Sequence, residues 1–232
     1  MPLDHSLTYT DGRIRNLPHR LRMRRIIKLV KQYASSSVTT YADFGCSNGY
    51  LTNLLVTSIH AQQSYGFDAN IDNLKAAQAA YPSIHFQKLD LNEHHSDLQF
   101  DFVTCLETLE HVGNLVNAMQ VLLNSVKSGG TLLITVPIEI GIIGLGKIIA
   151  KRSLGRELQE LGISPKDYLL ALFRGQRLSR FRSSKERYAT HLGFDYRDID
   201  DFLSRLNNIK MVSVINKSTT RFYVIRPFAD AF

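Results

Sequence analysis

Between Val38 and Val136, short apolar runs alternate with segments of helical periodicity, and this alternation leaves little choice of fold. A strand followed by a helix before the next strand makes a βαβ unit, and successive units build a parallel sheet covered by helices. The spacing predicts strands over Val38–Phe44, Ser64–Phe67, Ile84–Leu89, Phe100–Leu106 and Thr131–Val136. Helices are predicted over Tyr50–Ile59, over Ile71–Tyr81 with Pro82 as terminator, and over Leu115–Val126 with Ser128-Gly129-Gly130 as the closing signal. The alternation breaks at Ile138. It returns with a helix at Asp198–Leu206 and two strands, Lys210–Asn216 and Arg221–Arg226, joined by a tight Lys217–Thr220 turn. The expectation is an α/β fold: a seven-stranded, mostly parallel sheet that ends in an antiparallel hairpin, with helices on both faces.

The 232 residues suffice for one full α/β domain with an inserted subdomain. Four segments are expected: a tail and basic helix (1–34), a core (35–137), an inserted helical lid (138–187) and the C-terminal part of the core (188–232). In the first segment, Leu21, Ile26, Leu29 and Val30 fall at helical spacing among arginines and lysines between Leu17 and Tyr33, and the Ser35-Ser36-Ser37 loop ends the helix. The first dozen residues are expected to be a tail, and Met1–Asp11 lacks the apolar core of a signal peptide. Two cysteines, Cys46 and Cys105, are too few for a disulfide framework and favour a reducing compartment. The longest apolar run, Ile138–Ala150, is interrupted by Lys147 and is shorter than the ~20 residues of a membrane-spanning helix. A cytoplasmic location, with room for peripheral membrane contact, is therefore expected.

Where the first strand turns into the first helix stands Asp43-Phe44-Gly45-Cys46-Ser47-Asn48-Gly49-Tyr50. Small residues let the backbone approach a ligand closely, and a helix N-terminus directs unpaired N–H groups at it. Ligands of open parallel sheets bind at the carboxyl ends of the strands. Three further acids sit at such ends: Asp68, followed by Ala69, after the second strand; Asp90, between Leu89 and Leu91, after the third; and Glu107 after the fourth. Each alone is an ordinary solvated strand-end residue. Together they suggest a nucleoside-shaped site.

The run Asp43-x-Gly45-x-Ser47-x-Gly49, then Asp68, Asp90, Glu107-x-x-Glu110-His111-Val112 and Gly129-Gly130-Thr131-Leu132, resembles the class I S-adenosylmethionine-dependent methyltransferases, with their Rossmann-like fold. The resemblance covers Tyr41 to Pro137 and implies enzymatic methylation. It implies that Asp43, Gly45, Cys46, Ser47 and Gly49 hold the methionine part of the donor, Asp68 and Ala69 the ribose, and Asp90 and Leu91 the adenine, with Glu107 beside them. Ser47 stands where glycine is usual, which is tolerable at negative φ. Ser47 and Tyr50 both depart from the Gly-x-Gly-x-x-Gly/Ala pattern of nicotinamide binding.

On the acceptor side, a helical turn after the fourth strand would bring Glu107, Glu110 and His111 to one face. Such a set could hold Mg²⁺ or Mn²⁺, or His111 and Glu107 could act catalytically with His111 as general base for a hydroxyl. They could equally do no more than shape the donor pocket. The segment is similar to that of ubiquinone-biosynthesis O-methyltransferases. It is also similar to that of small-RNA 2′-O-methyltransferases, in which a further histidine joins the run; His191 is the candidate here. The insertion combines the apolar Ile138–Gly144 with Lys147, Lys151, Arg152, Arg156, Arg174, Arg177, Arg180, Arg182, Lys185 and Arg187, in a chain of net charge +7. That composition suits a small or lipid-linked acceptor and an anionic membrane surface, or a solvated basic face. RNA is the less favoured partner because stacking aromatics are not interleaved with these cations. Outside this class stand a catalytically silent donor-fold binding protein and a nicotinamide oxidoreductase. Oligomeric state is not legible.

Overall fold

The chain is described by a computed structural model over residues 17–34, 38–93, 98–141, 144, 158, 162–182, 188, 190–217 and 219–228. The expected N-terminal tail, the Ser35-Ser36-Ser37 loop and the insertion's Lys147, Lys151, Arg152, Arg156, Lys185 and Arg187 lie outside the described residues. The basic segment forms α1 (Leu17–Tyr33). Its apolar stripe buries Ile26, Leu29 and Val30.

The central alternation follows as β1 (Thr40–Phe44), α2 (Tyr50–Ile59), β2 (Gln63–Asp68), α3 (Ile71–Ala80), β3 (His85–Lys88), β4 (Phe100–Leu106), α4 (Leu115–Asn124) and β5 (Val126–Pro137). Polar side chains start α3 and α4. Asn70 accepts from the N–H groups of Asp72 and Asn73 at α3, and Asn114 from that of Asn117 at α4. After the insertion's α5 (Pro165–Phe173), capped by Ser164 with Pro165 in its first turn, come α6 (Arg197–Ser204), β6 (Ile209–Lys217) and β7 (Thr220–Pro227).

The strands form one seven-stranded sheet in the order β3-β2-β1-β4-β5-β7-β6. β1 to β5 pair in parallel, while β7 pairs antiparallel with both β5 and β6. This is the Rossmann-like α/β sheet with a C-terminal hairpin that the alternation implied. Strand order reverses between β1 and β4, where the carboxyl ends of neighbouring strands open a crevice.

Helices cover both faces. One side packs α4 and α6, through residues such as Met119, Leu122, Ile199 and Leu203, against Phe44, Phe67, Val103 and Ile134. The other packs α1 and Leu55 of α2 against Tyr41, Phe102, Leu133, Phe222 and Val224. A third cluster gathers Leu158, Ile163, Tyr168, Ala171, Leu172 and Leu178 of the insertion with Leu192.

One local expectation is overturned. Gly129 and Gly130 do not close α4, which ends at Asn124; they lie inside β5. Val126 pairs with Phe100 and Thr131 with Phe102, so residues 127–130 bulge out opposite Asp101 alone. Gly129, at φ 75°, is needed for that excursion rather than for a helix cap. Lys127 uses the bulge to reach Asp101, which also accepts from the N–H groups of Thr39 and Thr40.

Because α1 is anchored through Leu29, 1% exposed, Leu29→Ala is expected to cost about 2–5 kcal/mol, read from urea unfolding.

Candidate active site

β1 brings a carboxylate into the core. Asp43 is 3% exposed, and its oxygens accept from Thr52 Oγ1 at 2.6 Å and Thr104 Oγ1 at 2.7 Å. Burial dominates its ionisation and lifts the carboxyl from 3.8 to about 6; the two hydroxyls oppose the lift and the Asp68 charge adds to it.

The chain then curls through Gly45 (φ 82°), Ser47 (φ 50°) and Gly49 (φ 75°) into α2. Glycine is required at Gly45, where a Cβ would stand 2.1 Å from Thr108 Oγ1, and at Gly49, where it would stand 2.7 Å from Phe86 Cζ. Ser47 thus does not take the negative φ at which a serine in place of glycine is readily tolerated. The reason is the neighbouring strand: Ser47 N–H donates to Asp68 Oδ2 at 2.9 Å, which holds the residue in the left-handed region.

The N–H groups expected to point at a ligand are largely spent on acceptors of the protein itself. Those of Gly45 and Cys46 donate to the Phe67 carbonyl, and that of Gly49 to the Cys46 carbonyl. Tyr50 N–H donates to Asn48 Oδ1 at 3.4 Å. The loop thus contributes shape more than donors.

Its concave side opens a cavity of about 760 Å³ at the carboxyl ends of β1, β2, β3 and β4. Asp43, Gly45, Cys46 and Ser47 line one wall, with Asp68 and Ala69 beside them. Leu89, Asp90 and Leu91 line a second, and Glu107, Glu110 and His111 a third. Every expected site residue therefore borders one space except Gly49, which starts α2 behind the loop. Asp68 Oδ1 accepts from Asn70 N–H, and Asp90 Oδ1 from both nitrogens of Asn92, so both carboxylates are oriented. Burial pushes the Cys46 thiol up, leaving it neutral.

The acceptor-side expectation needs correction. Glu107 does not share one helical face with Glu110 and His111. It sits at φ 52°, before the single 3₁₀ turn Leu109–His111, and its Oε2 accepts from Arg22 of α1. His191, the candidate for the further histidine, stands with Glu110 and His111 instead. Donor atoms of Glu110, His111 and His191 lie within 4.8 Å of one another. Glu110 is fully buried, and neither carboxylate oxygen has a hydrogen-bond partner among the described residues. Burial first, then Glu107, holds its carboxyl well above the usual carboxylate range. His191 Nε2 stands 3.9 Å from Glu110 Oε1, and its Nδ1 stands 3.4 Å from Glu139. Burial lowers His111, against the raising effect of the Tyr188 carbonyl that its Nδ1 meets at 2.8 Å. A neutral imidazole near neutral pH results.

The donor set accommodates a sulfonium nucleoside. Among the described residues, five carboxyl groups (Asp43, Asp68, Asp90, Glu107 and Glu110) border the cavity against one guanidinium, Arg22. The buried Ser47 Oγ and Glu107 Oε1 have no hydrogen-bond partner among the described residues, while Phe67, Leu89 and Leu91 offer apolar wall. An acidic cavity in a basic chain suits a cationic ligand and opposes the phosphates of a dinucleotide.

Comparison with known proteins agrees. A profile described as a methyltransferase domain matches residues 16–197. The chain belongs to the methyltransferase-domain family. It is 31% identical over 139 residues to the ubiquinone biosynthesis O-methyltransferase of Rickettsia bellii, covering 57% of this chain and 58% of that one. It is 27% identical over 139 residues to a putative methyltransferase of Invertebrate iridescent virus 6, covering 60% and 52%. Its fold matches that of magnesium protoporphyrin IX methyltransferase from Synechocystis, solved with bound SAH, at TM-score 0.60 and 16% identity over 96% and 92% of the two chains. The chain spans roughly half to two thirds of the length of its curated relatives.

Among the cavity residues of this methyltransferase domain that escaped sequence reading are His19 and Arg22. The signal was present, since Arg22 lies one helical turn before Ile26 and so on the buried side of α1.

A proton that folded Asp43 keeps up to about pH 6 leaves the unfolded chain near 3.8, so stability falls as pH rises through that window. Wild type is expected to lose about 2 kcal/mol relative to Asp43→Asn between those limits, read from urea unfolding at each pH.

Proposed function

We propose that this chain transfers a methyl group from S-adenosylmethionine to a hydroxyl oxygen of a small or lipid-linked acceptor. The observation that carries the reading is the single cavity joining the acids that end β1, β2 and β3 to the imidazole of His111. Asp43 and the Gly45–Gly49 loop are assigned to the methionine part, Asp68 and Ala69 to the ribose, and Asp90 with Leu91 to the adenine. The insertion at 138–187 is assigned to cover the acceptor.

When bound, the donor supplies a sulfonium methyl carbon open to in-line attack, with the C–S bonding pair leaving on sulfur. The chain's own groups do the rest. The carboxyl groups favour the cationic donor over its neutral product. His111 Nε2 accepts the proton of the acceptor hydroxyl as the O–C bond forms. Glu107, paired with Arg22 at the end of β4, shapes the wall between the donor and acceptor sides.

A second reading, favoured by the buried Glu110 carboxyl, which has no hydrogen-bond partner among the described residues, has Glu110, His111 and His191 hold a divalent cation that lowers the pKa of the acceptor hydroxyl. Two imidazoles and one carboxylate suit Mn²⁺ or Zn²⁺ better than Mg²⁺, which prefers oxygen ligands. No helix among the described residues is long and apolar enough to cross a membrane. The exposed Leu169, Leu170 and Phe173 of α5, beside Lys166 and Arg174, support contact with an anionic lipid surface and hence a lipid-linked acceptor.

Calorimetry with the donor and its demethylated product tests the donor site. Asp68→Ala is expected to weaken both by at least ~10-fold, as loss of a charged hydrogen-bond acceptor requires; no binding to wild type would reject the reading. A labelled-donor assay on fractionated extract, with and without chelator, tests the acceptor side. His111→Gln is expected to lower kcat by about 10²–10⁴-fold with donor affinity kept. Loss of activity with chelator and its restoration by Mn²⁺ would select the second reading. Label confined to RNA, with steep salt dependence, would overturn the small-acceptor assignment.

A further inference from the structure

His111 can serve as base or as ligand only if the nitrogen facing its reactant carries a lone pair. Nδ1 meets the Tyr188 carbonyl oxygen at 2.8 Å, and a carbonyl only accepts. In the neutral ring the proton is therefore on Nδ1, and Nε2 keeps its lone pair. Tyr188 N–H donates in return to the His111 carbonyl at 3.0 Å, so two residues far apart in the chain hold each other by paired bonds.

That pairing is itself held from outside the cavity. Arg182 Nη2 donates to the Glu110 carbonyl at 2.6 Å, and Nε donates to the Leu192 carbonyl at 3.3 Å. Its guanidinium lies over the Tyr188 ring at 4.1 Å and over Phe194 at 5.4 Å. One planar group thus touches the backbone beside His111, the backbone beside His191, and two rings that flank them. Gly193 makes room for it: a Cβ there would stand 2.8 Å from Arg182 Cγ. Arg182 does not itself line the cavity.

We propose that Arg182 is a positioning residue that clamps Tyr188, Leu192 and Phe194 to the Glu110–His111 turn and so locks His111 in its Nδ1–H tautomer. The proposal rests on the reading of His111 as the group that meets the acceptor or its cation, but the tautomer can be measured without that reading. Lysine cannot replace the clamp, since an ammonium cannot bond two carbonyls in one plane while stacking on a ring.

The test is long-range ¹⁵N–¹H spectroscopy of histidine-labelled protein, with His111 assigned from the His111→Gln spectrum. It is run on wild type, Arg182→Met and Arg182→Lys, with thermal unfolding of each. Wild type is expected to show a neutral Nδ1–H ring at His111. Both variants are expected to stay folded, to show an Nε2–H population or tautomer exchange, and to lose about 10- to 100-fold in kcat with donor KM unchanged, as supporting partners of reactive imidazoles do. A wild-type Nε2–H ring overturns the proposal, as do folded variants that keep the wild-type His111 spectrum. Unfolding of both variants also overturns it, by assigning Arg182 to stability. If wild type transfers no methyl group but the tautomer shifts as stated, the functional reading fails and the clamp stands.

Discussion

Three elements meet at the site, and one buried carboxylate joins them. Asp43 on β1 accepts hydroxyls from Thr52 on α2 and Thr104 on β4, and Thr104 also meets the Tyr41 hydroxyl at 2.6 Å. Burying a carboxylate costs several kcal/mol, which two short hydroxyl bonds offset only in part, as the raised pKa records. The arrangement fixes the angle at which the chain leaves β1 and enters α2. It therefore fixes where the Gly45–Gly49 curl can lie. The left-handed Ser47 follows from this geometry, since the curl must bring its N–H to Asp68 on the neighbouring strand.

The fold was largely legible because a parallel sheet leaves a strong trace in sequence. Its strands are buried on both faces and read as short apolar runs, while its crossover helices keep a 3.6-residue period. Phe100–Leu106 and Tyr50–Ile59 are bounded as the pattern predicts. The failure at Gly129-Gly130 has a physical cause. A Gly pair signals a positive φ without saying whether a helix end or a strand bulge needs it, and the bulge is set by Asp101, a residue distant in the chain.

The two sides of the cavity were unequally legible. On one side the candidate residues are strand ends, so chain order and strand order determine which acids gather; Asp68, Asp90 and Glu107 could be placed from spacing alone. On the other side the contacts are long-range: Arg22 comes from α1 and His191 from beyond the insertion. Treating Glu107, Glu110 and His111 as one helical face failed because the segment turns as 3₁₀ after a left-handed Glu107. The pairing of Glu107 with Arg22 then removes it from the set around Glu110.

On the proposed assignment, that asymmetry reflects what each side must recognise. A donor common to many acceptors presents the same ribose, adenine and charge, so its wall can be built from a few side chains at fixed positions. The wall proposed for the acceptor is held by main-chain groups: the carbonyls of Tyr188, Glu110 and Leu192 accept the bonds that orient His111 and seat Arg182. Any residue supplies a carbonyl, so these bonds impose no letter on the sequence except at Gly193, where space is required, and at Arg182, where five donors in one plane are. On the proposed reading, such a site can change its acceptor by altering the part of the insertion before Arg182, while the imidazole stays in register with the donor.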